Sequence, residues 1–258
     1  MLAVTTAHAD GYHRYGRRMI QSFLDFWPAD DRLLVYTEDW EPDILDPRVE
    51  YRDIMGIADL AAFKGRHTFD ERAHGKVSGR YDFRYDAVRF AHKTFAVIDA
   101  TRDTEEPLVA WIDADTVTHS RVPPKFIEGL VPAGAYTAYL GRPFNYPECG
   151  FVTYRPQHPS HAAFMESWRR LYVDGTLFRL DEWHDSWVYD WLRRQFEARG
   201  WITSFDLASR TPDTHHPFIN SPLGAYMDHF KGDRKVIGRT PPGEMIAGHR
   251  ARHWSLGA

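Results

Sequence analysis

The sequence predicts an α/β fold formed by a single domain of 258 residues. Strand, helix and strand succeed one another in the first 36 residues at the spacing that opens a parallel sheet. A further buried strand in mid-chain runs straight into two aspartates. A hydrophobic content of 43% is enough for one sizeable core.

Residues 2–6 read as a short buried strand, and residues 7–13 as a polar loop. Tyr15, Met19, Ile20, Phe23, Phe26 and Trp27 then recur at helical spacing until Pro28 ends the element. Residues 33–36 form the second strand. Residues 63–81, polar and dotted with glycine, read either as a mobile loop of the kind that covers active sites or as a solvated connector. Phe83, Ala87, Phe90, Ala91, Thr94 and Ile98 make the inward stripe of a helix, with Asp86, Arg89 and Lys93 sharing another face. Residues 108–112 are a buried strand that delivers Asp113-Ala114-Asp115. Strands follow at 135–140 and 150–154, then two helices, one striped by Phe164, Met165, Trp168 and Leu171, the other by Trp187, Val188, Trp191 and Leu192. From His215 onward Pro, Gly and His dominate and no periodicity stands out.

The net charge of −4 argues against a nucleic-acid partner bound through a global basic field. One cysteine, Cys149, cannot form an intrachain disulfide or a cysteine-rich zinc site, and fits a reducing compartment. The opening residues lack the pattern of a signal peptide, and no run approaches the roughly 20 apolar residues of a membrane span. A cytoplasmic protein without an integral membrane segment is the expectation. Nine tryptophans suit either a well-packed core or stacking on sugars and bases, and composition does not separate the two.

Asp113 and Asp115 are the most informative residues. Carboxylates at i and i+2 of an extended segment point the same way, and an apolar strand delivers them to the end where open α/β sheets bind ligands. Two hard oxygen donors so placed suit Mn²⁺ or Mg²⁺ bridging to a diphosphate, although a turn or helix cap also favours aspartate. Far downstream, His229-Phe230-Lys231-Gly232-Asp233-Arg234-Lys235 combines an imidazole, a glycine permitting close backbone approach and an ammonium suited to phosphate. Taken alone it reads more readily as an exposed basic turn.

Together, D-x-D after a buried strand and H-x-x-G-x-x-K near the carboxyl end resemble the GT-A glycosyltransferases, and most closely the retaining, glycogenin-like family 8. The resemblance implies a Rossmann-like GT-A domain with a mixed central sheet flanked by helices. Residues 1–115 would form its nucleotide-sugar half, and 116–258 its acceptor half with the metal and phosphate segment. It implies Asp113, Asp115 and His229 as metal ligands, with Asp113, Gly232 and Lys235 at the donor diphosphate. The family's lysine usually precedes Pro-Trp; here Val236-Ile237 follows. The helix before D-x-D occupies the place where related enzymes contact the donor with a basic residue, for which Arg89 and Lys93 are candidates. Trp183-His184-Asp185-Ser186 resembles the W-H-D-E-S motif of blood-group-type α-galactosyltransferases, without its glutamate. That likeness sets Asp185 beside the anomeric carbon, as stabiliser of positive charge or as nucleophile; a helix N-cap is the plainer alternative. Glu148 stands where family 8 has asparagine in Asn-Ala-Gly, and suits a sugar hydroxyl or a turn. Cys149 is expected as a small buried side chain. Thr6, Ala7 and Tyr12 follow the first strand, where GT-A proteins seat the nucleobase, with Tyr12 the candidate to stack on it.

The function so implied is transfer of a hexose from a nucleotide sugar, UDP- before GDP-linked, to a saccharide or other hydroxyl acceptor with retention. An inverting route would need a base such as Glu182 or Asp181. Rival readings are a sugar-nucleotidyltransferase, a metal-dependent hydrolase and a non-catalytic nucleotide-sugar binder. The first is disfavoured by a loop at 7–12 poor in glycine and cations, the second by scattered histidines with no H-E-x-x-H.

Overall fold

The computed structural model describes residues 1–212, 215–232 and 234–246. Its strands, in chain order, are β1 (Leu2–His8), β2 (Arg32–Glu38), β3 (Val49–Asp53), the small hairpin β4 (Lys76–Val77) and β5 (Arg80–Tyr81), β6 (Val109–Ile112), β7 (Thr116–Thr118), β8 (Thr137–Arg142), β9 (Asn145–Tyr154), β10 (Ser204–Asp206) and β11 (Met227–His229). Seven of them build one sheet in the order β10-β8-β9-β6-β1-β2-β3. The pairs β1·β2, β2·β3, β1·β6 and β8·β10 are parallel; β9 is antiparallel to both β6 and β8. The fold is therefore α/β with a mixed central sheet, and β9 alone runs against its six companions.

Alternation along the strands sorts side chains onto two faces. Leu2, Val4, Leu34, Val109, Trp111 and Val152 enter one core, with the helices Ala87–Arg102, His161–Val173 and Asp185–Ala198 against it. Met1, Ala3, Leu33, Val35, Ala110 and Ile112 enter the other, covered by the helix Arg17–Phe26. Trp168 and Trp183 are fully buried, so at least these tryptophans are core.

The structure departs from the sequence reading in several places. Residues 63–66 close a helix, Ala58–Arg66, and 76–81 form the β4–β5 hairpin, so the expected loop is largely ordered in turns. A π-helical turn, Tyr12–Gly16, precedes the helix Arg17–Phe26. The segment after β6 is a turn, not an extended strand: Thr116 N–H donates to the Asp113 carbonyl at 3.0 Å. The aperiodic carboxyl-terminal stretch supplies β11, which pairs with β7 in the register Thr116↔His229. Among the described residues no helix is long and apolar enough to cross a membrane.

Candidate active site

A cleft of about 680 Å³ opens at the carboxyl edge of the sheet, where α/β sheets bind ligands. The ends of β1 (Thr6, Ala7, His8), β2 (Glu38) and β6 (Trp111) contribute to it. Because β9 is reversed, its amino-terminal half (Tyr146, Glu148, Cys149, Gly150) reaches the same edge.

Asp113, Asp115 and His229 converge there, each offering a ligand atom within 4.8 Å of the others. His229 Nε2 lies 3.0 Å from Asp115 Oδ1 and 3.5 Å from Asp113 Oδ2. Adjacent donors around a six-coordinate ion with bonds near 2.1 Å stand about 3.0 Å apart, so two carboxylates and one imidazole fit Mg²⁺ or Mn²⁺. The β6–β7 turn sets the two aspartates, and the β7·β11 ladder brings His229 beside them. Gly150 makes the approach possible: a Cβ there would stand 2.5 Å from His229 Cε1.

The charges are balanced by buried cations. Lys93 Nζ donates to Asp185 Oδ2 at 2.7 Å, to Asp113 Oδ1 at 3.2 Å and to the Cys149 carbonyl. It is 7% exposed, so it is no surface cation of its helix. Burial works against its charge, but Asp113 and Asp185 more than compensate and raise its pKa. Burial likewise pushes the Asp185 carboxyl up, and Lys93 with His184 reverses this, holding it well below the usual carboxylate range. Trp111 Nε1 donates to Asp113 Oδ1 at 2.6 Å, which leaves Oδ2 facing His229. Lys235 Nζ pairs with Asp115 Oδ2 at 2.9 Å and sits 4.4 Å over the Tyr15 ring. Burial raises the Asp115 carboxyl, but His229 and Lys235 lower it by more, and it ends below its ordinary value. His229 is raised, Asp115 and Glu148 outweighing burial.

The other expected residues are placed as follows. Thr6, Ala7, Arg89, Lys93, Gly232 and Lys235 line the cleft. Arg89 lies at its rim, with Nη1 donating to Tyr81 Oη at 3.1 Å. Tyr12 does not face the cleft: it is 1% exposed, stacks on Trp40 at 3.7 Å and donates to Asp43. Tyr15, brought round by the π-turn, lines the cleft instead. Asp185 is the first helical residue and His184 the N-cap, so the capping alternative does not hold. Glu148 is 2% exposed and its oxygens are engaged by Arg142, Lys231 and Gly150 N–H. Cys149 is buried, its thiol pushed up to about 12. Asp233 of the downstream motif lies outside the described residues. Sequence reasoning missed Arg142 and the Glu38–Lys64–His92 group, which belong to no periodic or motif signal; it counted Tyr15 only in a helical stripe and Lys231 only in the basic run at 231–235.

No family model matches the chain, and no curated protein matches it. Solved structures that are similar include mouse xyloside xylosyltransferase 1, with 12% identity, a TM-score of 0.48 and coverage of 80% of this chain and 84% of that one. The bifunctional glycosyltransferase WbbM is similar at 11% identity and a TM-score of 0.49, over 90% of this chain and 46% of that one. The galactosyltransferase LgtC is similar at 12% identity and a TM-score of 0.42, over 67% and 66%. The chain thus spans less than half of WbbM and most of the mouse enzyme.

Proposed function

We propose that this chain is a GT-A glycosyltransferase that transfers a hexose from a nucleotide sugar, UDP-linked before GDP-linked, to a saccharide or other hydroxyl acceptor. The observation that carries the reading is the convergence of Asp113, Asp115 and His229 on one point of the cleft, with Asp115 and His229 in contact although 114 residues apart in sequence. This donor set would hold Mn²⁺ or Mg²⁺, which when bound supplies positive charge to the diphosphate leaving group.

The chain's own residues divide the remaining work. Lys235 exchanges its Asp115 contact for a donor phosphate oxygen and neutralises charge on the departing nucleoside diphosphate. Gly232, in the left-handed region at φ 56°, lets backbone approach the phosphates. Thr6, Ala7 and Tyr15 bound the nucleoside end, and Tyr15 takes the stacking role expected of Tyr12. Arg89 orients the sugar at the rim. Asp185, kept anionic by Lys93, faces the anomeric carbon and stabilises positive charge developing there. A carboxylate on that side supports retention; Glu182, whose Oε2 is engaged with His184 Nε2 at 2.9 Å, is the less available base for inversion.

The test is a thermal-shift and donor-hydrolysis series with UDP- and GDP-sugars, with and without Mn²⁺. Transfer chemistry predicts nucleoside diphosphate and free sugar from one donor, without pyrophosphate. Asp115→Ala abolishes the Mn²⁺-dependent part of the nucleotide stabilisation; an unchanged shift in the folded variant refutes the metal reading.

A further inference from the structure

We infer that Glu148 is the partner that locks His229 in the orientation the metal site requires, by accepting the Nδ1–H of that imidazole through Oε1. The inference rests on the metal reading above and concerns a residue to which that reading gives no role.

His229 is completely buried, and its ring nitrogens have different surroundings. Nε2 faces Asp115 and Asp113. Among the described residues Nδ1 is buried without a hydrogen-bond partner, and Glu148 Oε1 stands 3.9 Å away. An imidazole that ligates through Nε2 carries its one proton on Nδ1. A buried N–H left without an acceptor is costly, so the ring gains by moving that proton toward a carboxylate. The shift needed is about 1 Å, the difference between the present separation and a normal N–H···O bond near 2.9 Å.

Glu148 is held ready for this. Its Oε2 accepts from Lys231 Nζ at 2.5 Å and Arg142 Nη2 at 3.2 Å, which fixes the carboxylate and balances its charge. Among the described residues its Oε1 receives only the Gly150 N–H, at 3.2 Å, which leaves lone-pair capacity toward His229. Gly150 keeps the space between them clear: a Cβ there would stand 2.7 Å from His229 Nδ1 and 3.2 Å from Glu148 Oε1. A carboxylate behind a ligating histidine fixes its tautomer and raises its basicity, and losing such a partner lowers metal affinity about 10–100-fold. The position of Glu148 on β9, and of Arg142 at the end of β8, makes the sheet itself the support.

The test is Mn²⁺ titration by calorimetry and electron paramagnetic resonance on the full chain, for wild type, Glu148→Gln, His229→Ala and the double variant. Glu148→Gln is expected to weaken Mn²⁺ binding about 10–100-fold, and to change it less than about twofold once His229 is alanine, because the two act as one unit. Equal Mn²⁺ affinity in folded Glu148→Gln overturns the inference, as does an undiminished effect in the His229→Ala background. Failure of the wild type itself to bind Mn²⁺ overturns the metal reading instead. If Glu148→Gln does not fold, the His229 imidazole in the Mg²⁺-loaded wild type decides by NMR. A slowly exchanging Nδ1–H with cross-peaks to Glu148 supports the contact, and a freely exchanging one overturns it.

Discussion

Replacing Lys93 by methionine should separate the electrostatics of the cleft from its shape. The aliphatic stem is kept and the ammonium is lost, so Asp185 and Asp113 face one another's surroundings with no cation at 2.7 and 3.2 Å. The Cys149 carbonyl also loses its donor. Breaking a buried pair by deleting one partner costs about 3–5 kcal/mol. Asp185 keeps His184 Nδ1 only at 3.9 Å, and Asp113 is 28% exposed, so the lower end, about 3 kcal/mol, is expected. For a chain of this size that lowers Tm by about 6–12 °C. Deleting the second charge as well, in Lys93→Met/Asp185→Asn, should recover more than half of the loss, since the penalty comes from a stranded carboxylate. Urea unfolding at pH 7.5 without divalent ions measures each variant. A single variant within about 1 kcal/mol of wild type, or a double variant no better than the single, would refute the idea that Lys93 neutralises the buried acids.

Further outcomes follow from the same structure. Tyr15→Ala should weaken nucleotide binding at least about fivefold, consistent with the loss of a stacking face. Tyr12→Phe should leave binding unchanged and lower stability by about 1 kcal/mol through the lost bond to Asp43; the reverse pattern in a fluorescence titration returns the stacking role to Tyr12. Burial depresses the pKa of His161, which is 7% exposed and bonded to Tyr136 Oη. The unfolded chain then takes up the proton more readily, so its contribution is present above about pH 6.5 and is lost as pH falls below that value. Urea midpoints between pH 7.5 and 5 should therefore decline less steeply in His161→Phe, and an identical slope would show that His161 is not the group involved.

Much of this was readable before folding, for identifiable reasons. The strands at 2–6, 33–36 and 108–112 are apolar runs buried on both faces, and such runs announce themselves locally. The Asp113/Asp115 pair was legible because it interrupts one of them. Its convergence was expected from extended geometry, whereas a turn after Ile112 produces it. The place of Tyr12 was misread because a π-turn carries more residues per turn than an α-helix. The phase therefore slips, and Tyr15 reaches the cleft while Tyr12 enters the core. Lys93 shares a helical face with Arg89, yet while Arg89 lies at the rim the Lys93 ammonium is buried among Asp113, Asp185 and the Cys149 carbonyl. The strand carrying His229 is three residues long, too short for any period to register. Glu148 gives no sequence signal of its burial among cations, because its partners come from residues 142, 229 and 231 only once the sheet is assembled.

The lone reversed strand has a consequence for how this protein tolerates change. Residues 151–154 of β9 are rungs paired with β6, and Val152, Thr153 and Tyr154 are paired with β8 as well, whereas Glu148, Cys149 and Gly150 lie where the β8 register jumps from Tyr139↔Val152 to Leu140↔Glu148. An insertion at the hairpin tip, residues 143–144, leaves those rungs in step. One extra residue inside that paired run would instead turn its side chains to the opposite face in a single slip. Drift in length is thereby harmless at the tip and all-or-none in the paired run that anchors the floor of the cleft.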